Sequence, residues 1–502
     1  MRFPLGMSRA VVALCVLTAV LRLPALIDRQ PIDDESPYAV VANEILHGGR
    51  PYADAVERKP PLLFWTYAAI FGIGGMYNWR ALHLAGVLWT LATMWGLYVT
   101  ARSVAGHRAG LIAAGLYSVF QPWGTWKNLA FNGEMLMNLP LAWAWAIALS
   151  RGGRWHAARP ELFAAGALSC AAFLLKQPAA IAVVPLAVYP LLPSYRASRE
   201  ITTRQSCAQV GWLGGGFVMT LAAAIALLHH QGILRDAFYW TIINHDVPIV
   251  FWARGIGFTA AFIGACLPLT LGAALALVHA ELWTGKEAER LALIGLLTAS
   301  LVGVAASGRF YPHYYIQLVP PLAVLAASYY QGMWAGTLAA RGRALNPRIV
   351  CAWVAVTALA FFAVYWSGLR LREQPSETGQ YLAAHSSPDD RIFVWGQAPQ
   401  LYLDARRRPA SRYILTFPLT GFIFGGSFGS RDTSDRTVPG SWELLESDFA
   451  QHPPVYIVDV RDPENARYPV ARFPVLARLL AEQFEPAAQT AEGTIYRRRI
   501  LD

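Results

Sequence analysis

A loop that opens with three acidic residues and closes with a lysine before two prolines is the segment best equipped for chemistry. Residues 33–35 (Asp-Asp-Glu) follow the first apolar segment, and residues 58–61 (Arg-Lys-Pro-Pro) precede the second. An ionised carboxylate can take a proton from a hydroxyl or hold a cation. A lysine can neutralise an anionic oxygen, and the prolines after Lys59 restrict its backbone. The pattern predicts a site that handles a negatively charged group and also needs a base.

The residues after the acidic group predict how it is positioned. Ser36 followed by Pro37 is typical of a helix start, with serine as N-cap, and the Gly48-Gly49 pair is typical of a helix end. Between them one apolar stripe at helical spacing predicts a helix that lies flat on a membrane surface; its residues are Tyr38, Val41, Ala42, Ile45 and Leu46. The apolar run over residues 62–75 is too short to cross a bilayer and predicts a second interfacial helix.

Charged residues at other segment ends extend the candidate site. Glu134 opens an apolar segment without a basic neighbour in sequence, and Lys176 interrupts two apolar runs. Carboxylates at a membrane edge are functional candidates by default. The densest cluster contains Arg309, Tyr311 and His313, which offer a guanidinium, a phenol and an imidazole at one edge. Guanidinium and ammonium groups suit phosphate oxygens, so these residues are predicted to contact an anion.

Composition defines the class of protein. The chain has 502 residues, of which 55% are hydrophobic and only 15% charged, whereas soluble domains carry about 25% charged residues. Apolar segments near membrane-spanning length recur along most of the chain, which predicts an all-α polytopic membrane protein with about eleven transmembrane helices. We place them at residues 10–27, 79–101, 109–122, 134–150, 161–175, 178–193, 208–228, 256–280, 290–306, 314–334 and 349–368. The first is predicted to be a retained signal anchor, because no small-residue cleavage site follows it.

The distribution of basic residues predicts orientation. The net charge of +10 is spread over short loops rather than gathered in one patch, which excludes a nucleic-acid partner. Alternate loops are rich in arginine and are therefore predicted to face the cytoplasm; they hold Arg2, Arg9, Arg102, Arg108, Arg151, Arg154, Arg159, Arg196, Arg199, Arg204, Lys286, Arg290, Arg341, Arg343 and Arg348. The acidic loop and the C-terminal region then face the outside. The five cysteines all lie in or beside apolar segments and predict neither a disulfide framework nor a metal site.

The last part of the chain differs in kind. Residues 1–368 are predicted to form the transmembrane module, with residues 28–78 as its first outer loop. Residues 369–502 alternate strand and helix signals, which predicts a small extracytoplasmic α/β domain. Strands are predicted at 391–395, 455–460 and 494–496. Helices are predicted after Ser441 and over 470–484.

In the acidic first loop and at the charged segment ends, the sequence resembles the bacterial GT-C glycosyltransferases related to protein O-mannosyltransferases and to the aminoarabinose transferase of lipid A. The resemblance covers roughly residues 10–370, and the first loop is its most specific part. It is carried by Asp34-Glu35 with Tyr38, residues 48–52 (Gly-Gly-Arg-Pro-Tyr), 59–61 (Lys-Pro-Pro), 132–134 (Asn-Gly-Glu), 176–178 (Lys-Gln-Pro) and 312–315 (Pro-His-Tyr-Tyr).

The resemblance implies a polyprenyl-phosphate-linked sugar as donor and a transmembrane fold with interfacial helices in the first loop. It implies Asp34, with Glu35, as the catalytic pair and Lys59 as the contact to the donor phosphate. One departure is Asp33, which precedes the usual Asp-Glu pair and could share or replace the role of Asp34. Arg309, His313 and Lys176 are predicted further phosphate contacts, and Glu134 and Tyr311 supporting residues. A divalent cation held through Asp34 and Glu134 stays open, because no decisive ligand spacing is present.

These residues predict a bacterial inner-membrane enzyme that transfers a sugar, with inversion, to an acceptor hydroxyl on the outer face. The acceptor could be a glycan, a lipid or a protein. A lipid or sugar transporter is the main alternative, but transporters carry charges near the bilayer midplane and often show internal repeats, and neither is found here. An O-antigen ligase or polymerase is a second alternative. The position of Asp34 and the terminal outer domain disfavour it.

Overall fold

The structure is a computed structural model that describes residues 5–151, 159–244, 250–338, 346–368, 375–424, 433–462 and 465–499. Arg2, Arg154, Arg341 and Arg343, which contribute to the predicted orientation, lie outside the described residues. The chain divides into two compact units. The first contains residues 1–28, 83–227 and 247–370; the second contains residues 29–82, 228–246 and 371–502. The predicted division at residue 368 stays a prediction, and the contacts add that the first loop packs with the C-terminal region.

The helices are, in chain order, α1 (Leu5–Leu21), α2 (Leu23–Ile27), α3 (Glu35–Leu46), α4 (Pro61–Gly74), α5 (Trp79–Ala105), α6 (His107–Phe120), α7 (Gly133–Arg151), α8 (Arg159–Leu175), α9 (Ala179–Val188), α10 (Pro193–Ser198), α11 (Thr203–His230), α12 (Leu234–Phe238), α13 (Trp252–Ala265), α14 (Leu267–Val278), α15 (Glu287–Ala305), α16 (Val319–Trp334), α17 (Pro347–Gly368), α18 (Glu377–His385), α19 (Gln400–Ala405), α20 (Phe417–Thr420), α21 (Ser441–Gln451) and α22 (Pro474–Gln483). The strands are β1 (Arg391–Trp395), β2 (Arg408–Pro409), β3 (Tyr456–Val460), β4 (Phe484–Gln489) and β5 (Gly493–Arg498).

The helical character is confirmed, whereas the count of eleven spans is not. Among the described residues four helices, α5, α11, α15 and α17, are long and apolar enough to cross a bilayer, or five spans if a bent pair is counted as one. That pair is α13 and α14, which meet at 90° where a single span over 256–280 was predicted. Pro268 lies in the first turn of α14 and cannot donate the hydrogen bond that would continue one straight helix.

The first predicted span, residues 10–27, is also broken in two. Arg22 separates α1 from α2 and is only 2% exposed. Its guanidinium donates to the Gln121 side chain at 2.9 Å and to the Leu129 carbonyl at 2.6 Å. A buried arginine needs such acceptors, and they lie beyond the reach of an analysis of the apolar segment alone.

Helices α8 and α11 approach each other closely through two glycines. A methyl group at Gly166 would meet the Leu213 carbonyl oxygen, and one at Gly216 would meet the Phe163 carbonyl oxygen. Small residues permit such backbone approach between apolar helices. Gly214, by contrast, has open space around it.

We therefore expect Gly166→Ala and Gly216→Ala each to lower the free energy of unfolding by about 1–3 kcal/mol, because the helices must separate. Gly214→Ala is the matched control and should be neutral or stabilising, since alanine is the better helix former. The measurement is the thermal unfolding of the three variants in one detergent. Equal behaviour of all three would contradict the close packing.

In the second unit the C-terminal residues form a five-stranded sheet in the order β2-β1-β3-β5-β4. Strand β1 pairs in parallel with β2 and β3, whereas β5 pairs antiparallel with β3 and β4. The predicted α/β character is thus confirmed, with three strands near their predicted places. Strand β2 was missed because it has two residues and contains a proline. Strand β4 follows directly on α22 and lay beyond the predicted helix over 470–484.

Two predicted helix starts in this unit are wrong in detail. Gly440, not Ser441, is the N-cap of α21, with a φ of 77° that a glycine adopts without strain. Ser441 is the first helical residue and donates its hydroxyl to the Pro418 carbonyl at 3.2 Å. Helix α22 begins at Pro474 rather than near residue 470, in keeping with the preference of proline for the first helical position.

The first loop is fastened to this sheet within the second unit. Glu44, near the end of α3, is 1% exposed and accepts two hydrogen bonds from Arg408 of β2, at 2.8 and 2.6 Å. The Val56 N–H donates to the Arg412 carbonyl at 2.8 Å. A paired, hydrogen-bonded carboxylate is the form in which a buried charge is tolerated. The helix that begins beside Asp34 therefore ends on the C-terminal sheet.

A carboxyl group in strand β3 predicts a pH-dependent stability. Burial raises the pKa of Asp459 from 3.8 to about 6, although Arg461 lowers it in part. The folded state holds the Asp459 proton more tightly than the unfolded state does. The contribution of this carboxyl to the free energy of unfolding is therefore greatest below about pH 4 and is lost as the pH rises from about 4 to 6. We expect Asp459→Asn to stabilise the chain at pH 7.5 by about 1–2 kcal/mol. The measurement is unfolding at pH 4.5 and 7.5. The exposed Asp435→Asn is the control, and equal effects at both pH values would refute the assignment.

Candidate active site

Asp34 has different surroundings from Asp33, its acidic neighbour before the start of α3. Helix α3 begins at Glu35, with Asp34 as its N-cap residue and no hydrogen bond from the Asp34 side chain to the helix backbone. Asp34 is half-buried and accepts a hydrogen bond from the Tyr38 hydroxyl at 3.3 Å. Asp33 is exposed and has a φ of 50°, an uncommon conformation for a residue with a side chain. Of the two aspartates, Asp34 is the half-buried one that contacts Tyr38, and its role as the base stays a prediction.

The predicted Ser36 N-cap of α3 and its single buried stripe are wrong, whereas its position at the membrane surface stays a prediction. Glu35 is fully buried, and its carboxylate accepts the Ile32 N–H at 2.8 Å. The N-cap is Asp34, two residues before the predicted Ser36. Every residue from Glu35 to Glu44 is buried, so the helix is enclosed on all sides rather than along one stripe. Glu35 thus holds the turn that presents Asp34, and its assignment as a catalytic residue stays a prediction. The helix does end before Gly48, whose φ is 81°.

Lys59 is fixed at its backbone and open at its ammonium group. Its carbonyl accepts the Tyr52 hydroxyl at 2.7 Å, and its N–H donates to Glu57 at 2.8 Å. The ammonium lies 3.9 Å from the other Glu57 oxygen, and the lysine side chain is 22% exposed. A contact at that distance is a weak ion pair. Lys59 is thus held in place while its charge stays available to a ligand.

Tyr38 brings the two ends of the loop together. Its hydroxyl contacts Asp34 at 3.3 Å, and the Lys59 ammonium lies 5.9 Å from its ring centre. Phe64 and Tyr67 of α4 pack edge-on against the same ring. Burial raises the pKa of Tyr67, and the Glu35 and Asp34 carboxylates raise it further. The carboxylate and the ammonium therefore share one aromatic neighbour, more than twenty residues apart in sequence.

In the first unit Glu134 and Lys176 form a buried ion pair. Their side chains are 1% and 9% exposed, and the ammonium lies 2.9 Å from Glu134 Oε1. Gly133 makes room for the lysine, because a Cβ there would lie 2.7 Å from Lys176 Cδ. Glu134 Oε2 has no hydrogen-bond partner within the described part of the chain. The role of Lys176 as a phosphate contact stays a prediction, now with its charge matched by Glu134.

The aromatic cluster after α15 adjoins this pair. The Lys176 ammonium lies 5.3 Å from the Tyr314 ring centre, and His313 packs edge-on against Tyr314 at 4.7 Å. Tyr311 stacks on His313 at 5.6 Å, and the Arg254 guanidinium lies 5.5 Å from the Tyr311 ring. The structure thus brings Glu134, Lys176, His313 and Tyr311 into one cluster.

Breaking the buried pair should be costly. We expect Glu134→Gln to destabilise the chain by about 3–5 kcal/mol, because the Lys176 ammonium would remain buried without a counter-charge. The double variant Glu134→Gln with Lys176→Met should recover most of that loss. Thermal unfolding of the two single variants and the double variant gives the coupling. Additive losses would show that the two charges do not support each other.

Several residues of the site escaped sequence reasoning. Glu57 and Tyr52 hold Lys59, and Arg254 joins the aromatic cluster of the first unit. Arg309, by contrast, was predicted from sequence; it is 3% exposed, and its N–H donates to the Ser307 hydroxyl at 3.3 Å. The nearness of Glu57 to Lys59 in sequence was the one available signal. Among the residues described, no three His, Cys, Asp or Glu side chains group closely enough to hold a metal ion, and no step is assigned to one.

Comparison with known proteins gives the class of fold to which the chain belongs. Residues 58–226 match the model of the dolichyl-phosphate-mannose-protein mannosyltransferase family. The structure of ArnT from Cupriavidus metallidurans bound to undecaprenyl phosphate superposes with a TM-score of 0.62 at 17% identity, over 98% of both chains. The Archaeoglobus fulgidus oligosaccharyltransferase AglB, in complex with an inhibitory peptide and a dolichol-phosphate, gives 0.57 at 12% identity, over 99% of this chain and 74% of that one. No curated protein matches the chain by sequence.

The chain has the fold of the GT-C glycosyltransferases, a class of multi-pass membrane proteins. The predicted resemblance to this class is confirmed, with the family match covering residues 58–226. ArnT is similar over its whole length, so the fold likeness includes the C-terminal region as well as the helices.

Proposed function

We propose that this protein is an integral-membrane glycosyltransferase that moves a sugar from a polyprenyl-phosphate donor to an acceptor hydroxyl. The observation that carries the proposal is that Asp34 contacts the Tyr38 hydroxyl while the Lys59 ammonium lies 5.9 Å from the centre of the same ring. It is the chemistry that such a transfer needs: a base that is not consumed by helix capping, and a cation that is not neutralised by a close partner. The GT-C fold and the match over residues 58–226 support it.

In the proposed reaction the acceptor oxygen attacks the anomeric carbon of the sugar while Asp34 takes the hydroxyl proton. The bond between that carbon and the phosphate oxygen breaks, and its electron pair stays on the phosphate. Lys59 stabilises this negative charge, an effect that is strongest where water is excluded. One displacement inverts the anomeric centre. Arg309, His313 and Lys176 remain the proposed further contacts to the phosphate, and Glu134 and Tyr311 the supporting residues.

We place the reaction on the extracytoplasmic face of the bacterial inner membrane, with the N-terminus in the cytoplasm and the C-terminal domain outside. The arginine-rich alternate loops support this orientation. The proposed donor is a lipid-linked hexose or pentose, and the acceptor is a glycan, a lipid or a protein. Two of the similar structures are complexes with undecaprenyl phosphate and dolichol-phosphate, lipids of the class proposed here.

The test uses the purified chain in lipid nanodiscs, membrane extract as acceptor, and radiolabelled polyprenyl-phosphate sugars as donors. Release of free polyprenyl phosphate together with label in the acceptor is the expected result. A comparison of glycans and lipids between cells with and without the gene identifies the acceptor. Movement of intact donor across proteoliposomes without cleavage would instead establish a transporter and overturn the proposal.

A further inference from the structure

A cavity of about 430 Å³ lies within the second unit. It is formed by the residues after α2, the connection between α4 and α5, and the end of α19. Its polar lining includes Arg29, Asn78, Arg80, Asp404 and Arg406. None of these residues belongs to the Asp34 and Lys59 arrangement.

The charges of this lining are unbalanced. Arg29 and Arg80 are exposed, and within the described part of the chain neither forms an ion pair. The carboxylate of Asp404 already accepts the Ser376 N–H at 3.1 Å. Among the described residues, the lining therefore carries three guanidinium groups against a single carboxylate. Like charges gathered around one cavity repel each other, and an anion inside it would relieve that repulsion.

The backbone around the cavity also favours an anion. Arg80 lies in the first turn of α5, which has 27 residues, where the helix dipole disfavours a cation and favours an anion. Tyr77 and Arg406 have φ values of 66° and 53°, and the Arg406 guanidinium lies 5.5 Å from the Tyr77 ring centre. Two side-chain-bearing residues in this uncommon conformation line one cavity, and backbone strain of this kind is concentrated at functional sites.

We propose that the cavity binds a phosphate group carried by the acceptor and so holds the acceptor for sugar transfer. The inference rests on the proposed function, because it assigns an acceptor class to the same enzyme. Phosphate is the anion chosen, since guanidinium groups bind its oxygens in a two-pronged geometry and three of them surround the space. Bulk phospholipid headgroups carry the same chemistry, and the experiment must separate the two sources.

The first experiment titrates inorganic phosphate into the full chain in phosphatidylcholine nanodiscs. Arg29→Gln, Arg80→Gln and Arg406→Gln should each weaken binding about tenfold or more, because each removes a charge-assisted contact. Arg467→Gln is the matched control, since Arg467 is exposed in the same unit and its side chain has no partner within the described residues. Unchanged affinity in the three cavity variants would overturn the proposal.

The second experiment separates the sources of phosphate. Nanodiscs with phosphatidylglycerol should leave phosphate affinity nearly unchanged if the cavity serves the acceptor, whereas full competition would assign it to bulk lipid and overturn the inference. In the transfer assay the three variants should raise the acceptor KM about tenfold at an unchanged kcat, and removal of the acceptor phosphate by phosphatase should have the same effect. An unaltered KM would also overturn it.

The two proposals fail in different ways. Asp34→Asn should bind inorganic phosphate like the unmodified chain while losing transfer. If all three arginine variants still transfer sugar with a normal acceptor KM, the cavity inference is overturned. The proposed glycosyltransferase function is then unaffected. Phosphate binding in a chain that transfers no sugar from any lipid-linked donor removes the proposed function instead.

Discussion

Asp34→Asn should abolish most sugar transfer, with kcat reduced about 10²–10⁴-fold. The amide keeps the shape of the side chain and can still accept the Tyr38 hydroxyl, which contacts the carboxylate at 3.3 Å, but it cannot take the proton of the acceptor. KM should change little, because the base acts in the transition state rather than in substrate binding. The measurement is single-turnover transfer from a radiolabelled lipid-linked sugar in nanodiscs.

Asp54→Asn is the matched control for this variant. Asp54 lies in the same loop, and its side chain is 40% exposed and paired with Arg50 at 3.3 Å. Its loss should leave kcat within twofold, because an exposed ion pair of this kind contributes about 0–1 kcal/mol. Asp33→Asn tests the neighbouring acid, and full activity is expected there. A large loss in Asp33→Asn with normal activity in Asp34→Asn would transfer the role of base to Asp33.

Lys59→Gln should lower kcat about 10²–10³-fold, since a group that stabilises the charge developing on the leaving phosphate is worth that much. Lys59→Arg should retain part of the activity, because the positive charge remains while its shape changes. The ammonium is 3.9 Å from Glu57, so its removal leaves no tightly paired partner behind and the fold should survive. The measurement is kcat for each variant, with thermal unfolding as a check on folding.

Arg50→Gln is the control for charge in the same loop, because the Arg50 side chain is 51% exposed and bonds Asp54 rather than the candidate site. Its transfer rate should match that of the unmodified chain. A rate loss equal to that of Lys59→Gln would mean that the overall positive charge of the loop matters rather than the position of Lys59.

The types of residue at the site could be predicted from sequence more readily than their partners. Asp34 and Lys59 were found because each stands at a chemically unusual position in an otherwise apolar stretch. Glu44 was not singled out, since its partner Arg408 lies 364 residues away. Helix periodicity shows which residues face a common side, but not that a second element will cover the opposite side. That is why α3 was predicted to bury one stripe but is buried all round from Glu35 to Glu44.

Boundaries of the apolar elements were predicted less well than their existence, for reasons of local chemistry. Arg22 divides the first segment because its guanidinium finds two buried acceptors on distant residues. Pro268 divides another by removing a backbone donor. Short helices such as α6, with 14 residues, are apolar but fall below the roughly 20 residues that a straight crossing requires. Hydropathy is averaged over a window that includes such breaks, so it predicts one span where the chain forms two helices.

The bond between Glu44 and Arg408 means that the C-terminal sheet supplies the counter-charge for the helix that begins beside Asp34. A chain shortened before residue 391 would lose Arg408 and also Arg391, whose guanidinium lies 4.0 Å from the same carboxylate. Glu44 would then be buried with no guanidinium against it, at a cost of several kcal/mol. The helix would have to tilt or take up a proton, and Asp34 at its other end would shift with it. The C-terminal sheet is therefore part of what holds the first loop in its folded shape.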